Sequence, residues 1–294
     1  MKIQEILNLF HEKMTQIYLY QRAANDLMTA EIKELTKHAE FLEERPDLKE
    51  LEVSVNNMFF NDPISGNPIF YGHKTSTIEE RISAVHLHKN KQYQWLLAEA
   101  YEEFEDFLEA AYASTGYYDK NFWPLMDYGN ISLQDISGKD WDWHYNQVKT
   151  KKGLPQSILT IFRQKFKSIS EIEKNNKLNY DLKFMLALIS QLRHHIVHTA
   201  GKVKNKEKFI EKILNDVGLF NNGKPKKENT DFINYFLNGD ENVIVLLEVR
   251  IRKEIPLNIH VSPFDILCRF LLSQAHIISK NISDHQSQNR PENT

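Results

Sequence analysis

Six consecutive residues gather a guanidinium and three imidazoles: Arg193, His194, His195 and His198, with the apolar pair Ile196 and Val197 between them. Arginine keeps its charge at neutral pH, whereas histidine trades a proton there. Together they suit chemistry on a phosphate, in which one group holds the anion and another moves protons. Plainer roles exist for the same residues. Arg193 at a helix end can form a structural ion pair, and His198 can act as a favourable cation at a helix C-terminus. His194 and His198 also have the four-residue spacing of a helical zinc pair, but no third ligand presents itself. No metal site is therefore assigned.

The stretch closes a strongly apolar run from Asp181 to Leu192, in which Leu182, Met185, Leu186, Ile189 and Leu192 form a helical stripe. Gly201 stands where a glycine is expected just past a helix C-terminus. The polar cluster should thus sit on the last turns of a buried helix. Each residue advances ~100° around the axis, so His194 and His198 share a face while Arg193 and His198 lie roughly 140° apart. One copy alone points its two key groups in different directions. A two-fold interface, which sets the same patch of two chains face to face, can close that gap.

The string Arg-His-x-Ile-Val-His-x-x-Gly, from Arg193 through His198 to Gly201, resembles the Arg-x4-His signature of HEPN-domain proteins. The resemblance covers the motif closely and the helical region from Thr77 onward loosely; the first seventy-odd residues show none of it. It implies a mainly α-helical bundle that dimerises. It also implies a metal-independent endoribonuclease of the toxin–antitoxin, phage-defence or stress type, with Arg193 and His198 of two subunits forming one composite site. In that reaction the 2′-hydroxyl of RNA attacks the adjacent phosphate and leaves a 2′,3′-cyclic phosphate. His198 would be general base or acid, Arg193 would hold the phosphate oxygens, and His194 would position one of them or the substrate. The implied partners are RNA, a second copy of the chain and a cognate antitoxin, with no cofactor. The alternative is a HEPN-like dimer that binds RNA, nucleotide or protein without cutting.

Composition sets outer bounds. At 294 residues and 34.6 kDa the chain can form one large domain or two small ones. Ten glycines argue against an all-β or loop-rich protein. The single cysteine, Cys268, excludes an intrachain disulfide and a multi-cysteine zinc site, and fits a reducing cytoplasm. No run reaches a membrane span, and Met1 to Glu5 opens an amphipathic pattern rather than a signal peptide. The formal net charge of −3 hides a segregation. From Lys149 to Glu228 there are 18 Lys and Arg against 7 Asp and Glu, a net of +11, which leaves −14 on the rest. A basic block around the Arg193 motif is the footprint of a nucleic-acid partner, and Lys202 and Lys204 just beyond Gly201 are the candidate substrate-binding residues. A set of solvated lysine-rich faces would look the same.

Along the chain, Ile6, Leu7, Phe10, Met14, Ile17 and Tyr18 begin a long helical pattern, continued by Leu27, Ile32, Leu35 and Leu42 and stopped at Pro46. Met58-Phe59-Phe60 and Ile69-Phe70-Tyr71 flank turn residues and either pair as strands or pin a loop to the core. Thr77 with Glu80 is a capping box that opens a second long helix, expected to end at Gly116. Its acidic run from Glu99 to Glu109 is read as a solvated face, the alternative being that one carboxylate points inward to hold Arg193 or orient His198. The aromatics from Tyr117 to Tyr145 either stack on unpaired bases or cover the bundle, and covering is preferred. Further helices are expected from Pro155, over Phe209–Val217 and over Phe232–Leu237. Val243 to Arg252 with Leu257 to Val261 is the candidate for a small β-hairpin near the C-terminus. These readings give a mainly α fold with an N-terminal helical region and loop over 1–75, a HEPN-like helical domain over 76–282 and a disordered tail over 283–294.

Overall fold

A computed structural model describes residues 1–151, 155–220, 225–238, 241–250 and 260–288. The protein is mainly α-helical. In chain order the elements are α1 (Ile3–Glu44), β1 (Ser54–Asn61), β2 (Pro68–Ser76), α2 (Ile78–Tyr118), α3 (Leu133–Ile136), α4 (Trp141–Lys149), α5 (Gln156–Lys165), α6 (Lys167–Lys174), α7 (Leu182–Thr199), α8 (Lys206–Val217), α9 (Lys227–Asn234), β3 (Val249–Arg250), β4 (His260–Val261) and α10 (Pro263–Gln288). Two compact units result: Met1–Tyr18 with Gln94–Thr294, and Leu19–Tyr93. The division does not fall at residue 75, because α1 and α2 each give one portion to either unit.

In the larger unit, Ile6, Phe10, Met14 and Ile17 of α1 are buried, and the Phe10 ring lies 5.3 Å from Phe107 of α2. The second half of α2 is buried widely around its circumference, through Leu97, Tyr101, Phe104, Leu108 and Tyr112. Alanines at 98, 100, 111 and 113 let neighbours approach it closely. Helix α10 buries Phe264, Leu267, Leu271, Ala275, Ile278 and Ile282, spaced three and four apart, and packs against α7 and α6. Arg163 on α5 forks onto Glu173 on α6, with Nε–Oε2 at 2.8 Å, and Gln274 of α10 donates to the same carboxylate at 2.7 Å. Glu173 is almost wholly buried, so these donors replace the water it gave up on folding.

Several elements differ from the sequence expectation. Gly116 does not end α2, which runs to Tyr118; the Trp123 indole lies over Gly116, where no Cβ would fit. The aromatics that follow cover the bundle in part, with Tyr117 and Tyr118 left exposed and Trp141, Trp143 and Tyr145 half-buried. Phe122, Trp123 and Tyr128 are buried, and Trp123 stacks on Tyr112 at 4.9 Å and donates its Nε1–H to the Tyr112 carbonyl. Buried rings of this kind are not offered to bases. The expected Phe232–Leu237 helix is α9, which starts earlier and stops at Asn234, because Leu237 bridges to Ile244. The C-terminal hairpin is shorter than expected. Val249 pairs with Val261 and Arg250 with His260, while Val243 bridges instead to Lys202; residues 251–259 lie outside the described residues. The tail is helical as far as Gln288, held by Ile282 in the core and by His285, whose Nε2 meets Asp119 at 2.9 Å. Residues 289–294 of the expected disordered tail lie outside the described residues.

In the smaller unit, Met28, Leu35 and Leu42 recur every seven residues on α1 and pack with Ile78 and Val85 of α2. That is the repeat of a helix pair wound about a shared seam. Leu27, counted with the apolar stripe in the sequence, is exposed, and its neighbour Met28 takes the core position. The Thr77–Glu80 capping box is present, with Glu80 N donating to Thr77 Oγ1 at 3.2 Å and Thr77 N to Glu80 Oε2 at 3.0 Å. Between the helices, β1 and β2 pair antiparallel from Ser54↔Ser76 to Asn61↔Pro68, with a bulge beside Met58 and Phe59. The two apolar runs therefore pair as strands, and their side chains stay in solvent instead of pinning a loop.

Candidate functional site

Helix α7 begins at Asp181, whose carboxylate accepts from Phe184 N at 3.0 Å as an N-cap. Its length is buried through Leu182, Met185, Leu188, Ile189, Leu192 and Ile196. It ends at Thr199, with Ala200 and Gly201 both left-handed (φ 53° and 78°) and Gly201 N donating to the His195 carbonyl at 2.9 Å. Only glycine suits position 201, because a Cβ there would lie 2.6 Å from Gln94 Oε1. Gln94 is itself buried and donates to the Ile244 carbonyl at 2.6 Å, and Ile244 N returns a bond to Gly201 O at 2.9 Å. The end of α7 is thus locked to α2 and to the chain before β3.

Four polar side chains leave this turn in three directions. Arg193 reaches α2, where Nη2 donates to Glu102 Oε1 at 3.0 Å. Glu102 is the exposed end of the pair at 57%, while the Arg193 side chain is mostly covered at 26%, and the pair holds by ~1 kcal/mol. Arg193 Nε has no hydrogen-bond partner among the described residues. His194 and His198 are exposed and share a face, their ring centroids 4.7 Å apart. His195 turns inward, 5.2 Å from the Phe209 ring of α8 and 3.2 Å from Thr199 Oγ1, so it belongs to the α7–α8 packing. Thr199 ties off the turn by donating to the carbonyls of His195 and Lys202.

The electrostatics divide the same way. Partial burial, then the charges of His198, Lys212 and Arg193, hold the His194 imidazole below its ordinary range, so near neutral pH it is a proton acceptor. On α2, burial pushes the Glu105 carboxyl up to about 7, reinforced by Glu102, Glu109 and Asp106 and opposed by Arg193. Of the acidic run, Glu102 is the carboxylate that holds Arg193, and Glu105 is a neighbour that is only partly ionised at neutral pH. Tyr101 behind them is pushed up to about 12 by burial. Lys202 and Lys204 are exposed on the loop from α7 to α8. The sequence reading did not single out Lys212, whose charge bears on His194 and His195. The signal for it was the short loop after Gly201, which returns α8 alongside α7. Among the described residues no group of three or more His, Cys, Asp or Glu is placed to hold a metal ion.

The Glu105 shift sets a pH test. A carboxyl whose folded pKa is raised contributes stability present below its ordinary value of 4.5 and lost as pH rises through about 7. Glu105→Gln should match the wild type in thermal melts at about pH 4. At pH 8 it should gain ~1–2 kcal/mol, a figure reduced for the group's partial solvent exposure. Equal melting temperatures at pH 8 would refute a neutral Glu105.

No family model, curated protein or solved structure matches the chain. Among the described residues no helix is long and apolar enough to cross a membrane.

Proposed function

We propose that the chain is a cytoplasmic, metal-independent RNA endonuclease of the HEPN type, acting in a toxin or phage-defence setting at a site completed by a second copy of itself. The observation that carries the reading is the pattern of exposure on α7. A helix otherwise buried ends by offering His194 and His198 to solvent, with Arg193 partly exposed beside them. Core packing does not require three such side chains at the tip of an apolar helix. In this reading His198 moves the proton of the attacking 2′-hydroxyl or of the leaving oxygen, and the adjacent His194 positions it. Arg193 holds the phosphate, which displaces Glu102 from a weak pair. Lys202 and Lys204, with Lys212, draw the polyanion to this end of the helix. Arg193 and His194/His198 leave one protomer in different directions, which is why a partner's Arg193 is needed. A cognate antitoxin would have the same exposed turn to cover.

The test is product chemistry. Purified protein incubated with labelled RNA in EDTA should yield fragments ending in 2′,3′-cyclic phosphate, and a 2′-deoxy substitution at the cut nucleotide should block the cut. Binding of several RNAs with no cleavage would assign the chain instead to a HEPN-like binding module.

A further inference from the structure

The β1–β2 hairpin exposes more apolar surface than any stretch of similar length among the described residues. Ile64 at its turn is 94% exposed, Phe70 70%, Tyr71 69% and Phe59 59%, with Phe60 and Ile69 close to half. The rings come in cross-strand pairs, Phe59 with Phe70 at 5.9 Å and Phe60 with Tyr71 at 6.2 Å. The hairpin is also well built. Asp62 accepts from Ile64 N at 3.0 Å and from Ser65 Oγ at 2.6 Å, Asp62 N donates to Asn67 O at 2.8 Å, and Gly66 takes the left-handed position (φ 74°). Among the described residues β1 and β2 pair only with each other, so each keeps an outer edge of backbone donors and acceptors. A lone two-stranded ribbon with wet faces is marginal in water, and an exposed apolar edge strand is a template for another chain.

We infer that this hairpin is a self-association arm that packs against the hairpin of a second copy of the chain. The charge balance selects the occupant. Across 54–76 the formally charged residues are Asp62 and Lys74. RNA or an anionic membrane surface calls for several cations interleaved with the rings, and this ribbon lacks them. A neutral aromatic surface is complementary to itself, as a two-fold interface requires. The pleat divides the rings between two faces, Phe59 with Phe70 on one and Phe60, Ile69 and Tyr71 on the other. At ~150–250 Å² for each large side chain, each face leaves on the order of 300 Å² in water, so the contact with a second hairpin uses one face together with an open strand edge. The inference does not depend on the reading of Arg193, since it concerns a different unit of the chain.

The test uses the full-length protein. Sedimentation across a dilution series should show that Phe59→Ser/Phe70→Ser/Tyr71→Ser self-associates at least ~100-fold more weakly than the wild type, with helical circular dichroism unchanged. Arg193→Ala/His198→Ala, run alongside, should sediment as the wild type if its own proposed contacts add little to assembly. Concentration-dependent hydrogen exchange on the wild type provides a second reading, independent of whether the triple variant folds: amides over 54–61 and 68–76 should slow on concentration. Matching mass profiles for the folded triple variant and the wild type would overturn the arm. So would exchange unaffected by concentration, or loss of RNA or vesicle binding by the variant with no change in its mass.

Discussion

Arg193→Ala and His198→Ala are each expected to lower the RNA cleavage rate by about 10²–10³-fold while leaving the chain folded. The size follows from the proposed roles, a fixed cation on developing phosphate charge and a group that moves the proton. The unchanged fold follows from the surroundings. His198 is exposed, so its loss should change stability by no more than ~1 kcal/mol, whereas Arg193 is mostly covered and faces both Glu102 and Glu105, so its loss should cost somewhat more, ~1–2 kcal/mol, with the chain still folded. Arg193→Lys should recover little, because an ammonium cannot grip two phosphate oxygens as a planar fork does. His195→Ala should do the reverse. It removes a ring packed on Phe209 and lowers the melting temperature, with a smaller effect on the rate of the folded fraction. Cleavage rates beside melting curves for these four variants check the assignment. If His195→Ala proves catalytically worse than His198→Ala, the roles are misassigned.

The largest effect on stability is expected at Gly201. Gly201→Ala forces a Cβ into a left-handed residue and onto the buried Gln94 amide, which must then release the Ile244 carbonyl. Left-handed strain of ~1–2 kcal/mol and a broken buried hydrogen bond of ~1–3 kcal/mol sum to about 3 kcal/mol, or ~5 °C in melting temperature for a chain of this size. Ala200→Gly one residue earlier is the matched control. Ala200 is already left-handed (φ 53°) and exposed, so glycine there should stabilise by up to ~1 kcal/mol. Thermal or urea unfolding of the two variants should move in opposite directions. Loss of stability in Gly201→Ala with none gained in Ala200→Gly would mean that Gln94 and not backbone conformation sets the cost, and no change in either would contradict both terms.

What could be read before folding was what depends on local pattern. The α7 stripe, the glycine past its end and the Thr77–Glu80 box are all set by residues within one or two turns of each other, and each is found in place. The opposed directions of Arg193 and His198 also followed from helical geometry alone. Contacts between distant elements were not legible. Six acids in the α2 run look alike in sequence, and only the packing of α2 beside α7 selects Glu102 for Arg193 and partly buries Glu105. Gly116 read as a helix stop because its local meaning is a break, whereas its role is to admit Trp123 from a later segment. The exposure of Phe59, Phe70 and Tyr71 ran against the expectation that aromatics seek a core, and no local pattern announces that.

The composite site can be tested by mixing two dead subunits. Arg193→Ala and His198→Ala chains, co-expressed with different tags and isolated as a mixed pair, combine one intact Arg193 with one intact His198 on opposite chains. If each pocket takes its arginine from one chain and its histidine from the other, one of two pockets is whole, and the mixed pair should recover about half the wild-type rate. A mixed pair as inactive as either parent would contradict a pocket that pairs the arginine of one copy with the histidine of the other.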